Sequence, residues 1–365
     1  MKVLKSHQKP SMDQKVATWH LKPEPVCPEC RSELSVIHKA TGKIGCETCK
    51  KCYSCHAGFL DLRTRSDRYL SLNQERQKAK RLADYEAKES LEGLTRQYYR
   101  MTADVSPSRR EMFVRHVLKS ELRGQALLKL IPESGTVLEV GTGTGGFLAA
   151  AAKAGRMITG VDIASRWLVV ARKRHSELNL EHQVPLYPAC AENLPWKDQT
   201  FDHTVADSLL EHLEYPQEAI SEMIRVTKPG GTVLLWFPNR NWPGMDPHVS
   251  LRGLNFLNRS TAERYIKWRR GNIHWPEMRS PREWSRMISS QNSFIDIQYQ
   301  AADLTGWPQS DCSMKGICTR LLGNVSKLPV ASILMTHFGP IGQIRILKNP
   351  MGLKPFHFEP NGIVQ

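Results

Sequence analysis

The chain has 365 residues, 40% hydrophobic and 24% charged, with nine cysteines and a formal charge of +15. This composition predicts a soluble globular protein of one large and one small unit, and no apolar run approaches the roughly 20 residues of a membrane span. The polar opening Met1-Lys2-Val3-Leu4-Lys5 lacks the apolar core of a secretion signal. Cysteines in C-x-x-C pairs suit metal in a reducing compartment better than a disulfide framework, so a cytoplasmic protein is expected. The positive charge fits nucleic acid, an anionic membrane surface or a phosphorylated substrate, or a solvated basic face.

In chain order, residues 1–24 carry Pro10 and Pro23 with no periodicity and read as a flexible arm. Residues 25–64 form a cysteine module. Residues 71–100 are rich in Glu, Lys, Arg, Gln, Ala and Leu and predict helix. Residues 111–131 predict a second helix, with Phe113, Val117, Leu118, Leu122 and Leu127 on one apolar face. Residues 65–131 thus form a helical linker and lid.

From residue 132 to 350 strands and helices alternate. Strands are expected at 137–140, 157–162, 184–189, 201–207 and 231–237, and two more at 294–299 and 343–347 close the sheet. The pattern predicts an α/β fold with a doubly wound, mostly parallel seven-stranded sheet, and a ligand outside the carboxyl ends of the first two strands. The connections 238–281 and 301–342 exceed ordinary loop length and are expected to carry substrate recognition. Residues 351–365 are a tail.

The chemistry is carried by Glu139-x-Gly141-x-Gly143-x-Gly145, after an apolar strand and before a small-residue helix. Glycines serve where the chain turns sharply and the backbone lies close to a ligand. Asp162 ends the second strand, where a carboxylate can accept both hydroxyls of a ribose. Ala191-Glu192-Asn193-Leu194-Pro195, Glu211-His212-Leu213 and Lys228-Pro229-Gly230-Gly231 follow the next strands.

This series resembles the class I S-adenosylmethionine-dependent methyltransferases, especially the ubiquinone and menaquinone group, over residues 95–300. The resemblance implies that Gly141, Gly143 and Gly145 approach the cofactor and that Glu139 holds its amino group. It further implies that Asp162 binds the ribose, that Ile163 lies against the adenine, and that Ala191 meets the adenine edge. Many relatives have Asp before that Ala-Glu pair. Here Cys190 stands in its place, which passes the adenine contact to Glu192. His212 and His248 are the candidate general bases, needed only if the acceptor must lose a proton. Some relatives bind a divalent ion through Glu-x-x-Glu-His. Ser208 replaces the first Glu here, so no catalytic metal is expected.

Cys27-Pro28-Glu29-Cys30 and Cys46-Glu47-Thr48-Cys49 have tetrathiolate zinc-ribbon spacing, with structural Zn2+ expected to supply much of the module's folding energy. Cys52-Tyr53-Ser54-Cys55-His56 offers a competing pair and a redox alternative. Resemblance to short zinc ribbons that precede methyltransferase domains, matched also by Tyr53, Gly58, Asp61 and Leu62, selects Cys27, Cys30, Cys46 and Cys49. Cys190, Cys312 and Cys318 read as reduced thiols.

The acceptor expected is a small molecule or lipid-linked group. Trp242, Phe256, Tyr265 and Trp268 in the first insert are candidates to line an apolar pocket. The alternative is ribosomal RNA, read by the ribbon and a basic stretch: Arg252, Arg259, Arg264, Lys267, Arg269, Arg270, Arg279, Arg282 and Arg286, interleaved with Trp268 and Trp275. Peripheral contact with an anionic membrane fits the same arginines. A non-catalytic zinc scaffold is the remaining alternative.

Overall fold

The computed structural model describes residues 23–38, 43–102, 105, 107–271, 275–289, 295–301 and 329–349. The expected arm up to residue 22, the tail beyond 349, most of the second insert, Cys312 and Cys318 lie outside these residues.

The cysteine module is a three-stranded antiparallel sheet of β1 (Leu34–His38), β2 (Lys43–Cys46) and β3 (Cys52–Tyr53), followed by a hairpin of β4 (Cys55–His56) and β5 (Phe59–Leu60). Three helices come next: α1 (Leu72–Glu86), α2 (Leu91–Arg100) and α3 (Pro107–Leu128). The expected single helix over 71–100 is therefore two. The break is local chemistry: the Ser90 hydroxyl accepts from the Gly93 N–H at 3.1 Å and starts a new helix. Leu122, assigned to the apolar face of the next helix, is 43% exposed, whereas Val117 and Leu127 are buried. The stripe is narrower than the run of apolar residues suggests, because α3 is gripped mainly by one neighbour.

That neighbour is α4 (Gly146–Lys153), which follows β6 (Val137–Val140). Then come β7 (Ile158–Asp162), α5 (Ser165–Glu177), β8 (Leu186–Pro188), β9 (Phe201–Asp207), α6 (Pro216–Val226) and β10 (Thr227–Pro238). The remainder is α7 (Arg259–Arg270), α8 (Pro281–Ser289), β11 (Ile295–Ala301), α9 (Pro329–Phe338) and β12 (Ile341–Lys348). The seven strands of the main sheet lie in the order β8-β7-β6-β9-β10-β12-β11, with β12 antiparallel to both β10 and β11. The expected doubly wound, mostly parallel sheet is present.

Its strands are apolar on both faces, as a sheet covered on both sides requires. In β10, Val233, Leu235 and Phe237 join one core layer, while Leu234 and Trp236 join the other. The strand order reverses between β7 and β9 on either side of β6, which puts a crevice at the carboxyl ends of β6 and β7. Among the described residues no helix is long and apolar enough to cross a membrane.

Candidate functional site

The crevice is a cavity of about 410 Å³. Its floor is the loop between β6 and α4. Gly141 has φ +77°, and a Cβ there would sit 2.8 Å from the Leu209 side chain. Gly143 has φ +50°, and a Cβ there would meet nothing within 4 Å, so this backbone faces open space. The loop is drawn to the end of β7 by the Gly143 N–H, which donates to Asp162 Oδ2 at 2.7 Å. The Ala164 N–H donates to Asp162 Oδ1, also at 2.7 Å. Burial pushes the Asp162 carboxyl up to about 6, against these two bonds, which favour the ionised form. Glu139 is buried behind the loop and accepts from the Thr142 hydroxyl at 2.6 Å. Burial holds its carboxyl well above the ordinary range.

Glu139, Gly141, Gly143, Asp162, Ile163, Ala191, Glu192 and His212 all line the cavity. Gly145 does not. It starts α4 with φ +72°, and a Cβ there would press on Ala171 and His175 at 3.0 Å. Its backbone freedom serves helix packing rather than the cavity wall. Cys190 is fully buried between lining residues, its thiol pushed up by burial and 3.8 Å from the Arg65 carbonyl.

At the other end of the cavity, β9 leads into a short helical turn, Leu210–His212. Glu211 is 1% exposed, and neither carboxylate oxygen has a hydrogen-bond partner among the described residues. Burial pushes it up to about 8. His212 Nε2 lies 3.8 Å from Glu211 Oε1, and His248 Nε2, from the first insert, lies 3.7 Å from the same oxygen. The Tyr69 hydroxyl is hydrogen-bonded to His212 Nδ1 at 2.7 Å. Ligand atoms of Glu211, His212 and His248 all fall within 4.8 Å of one another, a spacing one cation could span. Ser208 faces away from this group, its hydroxyl accepting from Arg123 at 2.9 Å. His248 from the insert thus adds a group that the Glu-x-x-Glu-His comparison did not consider.

Sequence reasoning missed much of the wall. Arg65, Asp67, Tyr69, Tyr99, Arg123 and Trp167 line the cavity without any motif to mark them. Arg123, from α3, forms an ion pair with Asp207 at the end of β9. Conversely, Trp242, Phe256, Tyr265 and Trp268 are not on the wall. Phe256 and Trp268 are each 76% exposed. The insert has its own small core of Val249, Leu251, Leu254, Ala262 and Ile266, and Tyr265 packs against that core instead. Several arginines of the basic stretch are committed internally. Arg259 donates to the carbonyls of Trp275 and Pro276, Arg270 to those of Val249 and Ser250, and Arg279 pairs with Glu277.

In the cysteine module, the sulfur atoms of Cys27, Cys30, Cys46 and Cys49 lie within 4.8 Å of one another. Cys27 Sγ is 3.5 Å from Cys49 Sγ, and Cys30 Sγ is 3.3 Å from Cys46 Sγ. Four thiols converging in this way fit a tetrahedral zinc ion. The Tyr53 hydroxyl stands 3.2 Å from Cys27 Sγ as an outer partner. Cys52 and Cys55 are exposed and outside this group.

Residues 138–235 match the family described as a methyltransferase domain. An uncharacterized protein of Methanocaldococcus jannaschii is 35% identical over 34% of this chain and 54% of its own. A phosphatidylethanolamine N-methyltransferase of Cereibacter sphaeroides is 38% identical over 28% of this chain and 49% of its own. A ubiquinone biosynthesis O-methyltransferase of Pseudomonas fluorescens is 36% identical over 29% of this chain and 45% of its own. The chain spans about half the length of these curated relatives.

Proposed function

We propose, from the premise that residues 138–235 are a methyltransferase domain, that the protein transfers a methyl group from S-adenosylmethionine to a small-molecule or lipid-linked acceptor. The observation that carries the reading is the convergence of the glycine loop, Asp162, Glu139 and His212 on one cavity. Its donors and acceptors suit a nucleoside at one end and a reacting group at the other. Similarity to a phosphatidylethanolamine N-methyltransferase and to a ubiquinone biosynthesis O-methyltransferase supports the substrate class.

When bound, S-adenosylmethionine supplies a methyl group open to direct displacement at its sulfonium. Asp162 would accept from the ribose hydroxyls, and Ile163, Ala191 and Glu192 would enclose the adenine. Glu139 would face the amino group, whose positive charge offsets the cost of a buried carboxylate. Much of the rate enhancement would come from holding acceptor and methyl in line. Where the acceptor must lose a proton, His212 would take it, directly or through the Tyr69 hydroxyl bonded to its Nδ1. His248 would assist through Glu211.

The Glu211–His212–His248 spacing favours a second use of the same groups, a divalent cation that lowers the acceptor's pKa. Activity lost to chelation and restored by Mg2+ or Mn2+, but not by Zn2+, would select it.

The deciding experiment is methyl transfer from tritiated cofactor in whole-cell extract. Label in the organic phase supports the proposed acceptor class. Label in the RNA fraction, with binding that falls steeply as salt rises, would overturn it in favour of RNA. Absence of transfer to any fraction, without cofactor binding, would return the chain to a non-catalytic scaffold. Zinc, held by Cys27, Cys30, Cys46 and Cys49, is assigned a structural role.

A further inference from the structure

The cysteine module shares a core with the methyltransferase domain. Its buried Cys27, Ile44, Cys46, Tyr53, Leu60 and Leu62 pack in one cluster with Leu138, Tyr187 and Trp196 of the main domain. Main-chain bonds close the seam. The Leu62 N–H donates to the Pro188 carbonyl at 2.8 Å, and the Val26 N–H to the Pro195 carbonyl at 2.8 Å. The Trp196 indole donates to the Pro23 carbonyl at 3.2 Å. The seam covers the exposed edge of β8, the strand next to the cofactor crevice.

The chain leaving the module crosses the mouth of that crevice. Asp61 and Arg63 have side chains only 1% exposed. They form a two-pronged ion pair, Nε to Oδ1 at 2.8 Å and Nη2 to Oδ2 at 2.7 Å. The third arm, Nη1, donates to the Ile163 carbonyl at 3.0 Å, one residue beyond Asp162. Arg76 of α1 donates to the same Asp61 carboxylate at 2.8 Å. Beyond this latch, residues 65–69 line the cavity and reach from Cys190 to His212. A planar guanidinium can bridge a carboxylate and a carbonyl at fixed angles, and an ammonium cannot.

We propose that the cysteine module is a metal-dependent wall of the cofactor site: its fold places residues 61–69 across the cleft, with Arg63 clamping the Ile163 backbone. The module is small, with short strands, so ion binding contributes directly to its folding. Metal occupancy is then coupled to cofactor affinity through Asp61, Arg63 and Ile163. This proposal rests on the cofactor reading given above.

The test is calorimetric titration of the full-length, zinc-loaded protein with S-adenosylhomocysteine and with adenosine, alongside Arg63→Lys and Cys46→Ser. Metal content and far-ultraviolet circular dichroism are measured on each. Arg63→Lys is expected to keep its zinc and its fold while binding both ligands at least tenfold more weakly. The loss is shared by adenosine because the clamp acts at that end of the cleft. Cys46→Ser is expected to lose zinc and to lose at least as much affinity. Wild-type affinity in a zinc-loaded Arg63→Lys would overturn the proposal, and so would wild-type affinity in a folded, zinc-free Cys46→Ser. Should Cys46→Ser fail to fold, the wild type stripped of zinc by a chelator takes its place, and undiminished affinity in that zinc-free protein overturns the proposal. No binding by the zinc-loaded wild type overturns the cofactor reading itself, and this is distinct from a wild type that binds with insensitive variants.

Discussion

Asp162 combines burial with a charge requirement, and this makes its behaviour testable. Losing its bonds to the ribose in Asp162→Ala should weaken S-adenosylmethionine binding by about 1.5–3 kcal/mol, the range for hydrogen bonds to a charged group. Its carboxyl titrates near 6, so affinity should fall as pH drops below 6, by up to about tenfold per pH unit. The Asn variant should lack this dependence, and calorimetry at several pH values checks both. Without cofactor the sign reverses. A carboxyl raised in the folded state adds stability that is fully present below its unfolded value and lost as pH rises through about 6. Gly143→Val tests the floor of the cavity. The side chain would project into space that no protein atom fills, from a backbone with positive φ. Binding should be abolished, with a stability cost of only about 1–2 kcal/mol, seen as a modest fall in Tm.

Among the elements, α3 and α4 approach each other closely at a pair of glycines. A Cβ on Gly124 would stand 2.6 Å from the Phe147 Cα and 2.7 Å from the Gly146 carbonyl. Neither backbone can yield without moving its helix. Gly124→Ala should therefore destabilise by about 1–3 kcal/mol, measured by denaturant unfolding. Gly146 and Phe147 also line the cavity, so cofactor affinity should fall with it. The cysteine module makes a different prediction. Elemental analysis should find one zinc per chain, lost in Cys46→Ser and retained in Cys52→Ser, because the Cys52 thiol is exposed and outside the four-sulfur group. The reverse pattern would show that the wrong ligands have been chosen. The element boundaries were less legible than the elements. The Ser90 cap divides a continuous helical composition, and among the described residues nothing covers the apolar side chain of Leu122, which is left exposed.

For the whole molecule, the +15 charge is a surplus of cations that does not say which of them are open to a polyanion. Ion pairs inside the protein leave that surplus unchanged but fix where particular arginines are held. Arg63, Arg166, Arg172 and Arg225 each pair with carboxylates inside the protein. Arg259 and Arg270 brace the insert through backbone carbonyls.

The parts set by the sequence alone are those whose causes lie close together along the chain. A glycine run between an apolar strand and a small-residue helix specifies a tight loop by local backbone freedom. A carboxylate at a strand end is placed by the strand itself. Paired C-x-x-C knuckles bring two thiols together before any tertiary contact forms, and regular strand spacing implies the parallel sheet. Tertiary structure alone decided how the module joins the site. The bonds from Tyr69 to His212 and from Arg63 to Ile163, and the approach of His248 to Glu211, join residues far apart in the chain. No short-range period encodes such pairs. The first two follow from the cysteine module and the main domain packing into one core, and the third from the insert folding back onto the turn after β9.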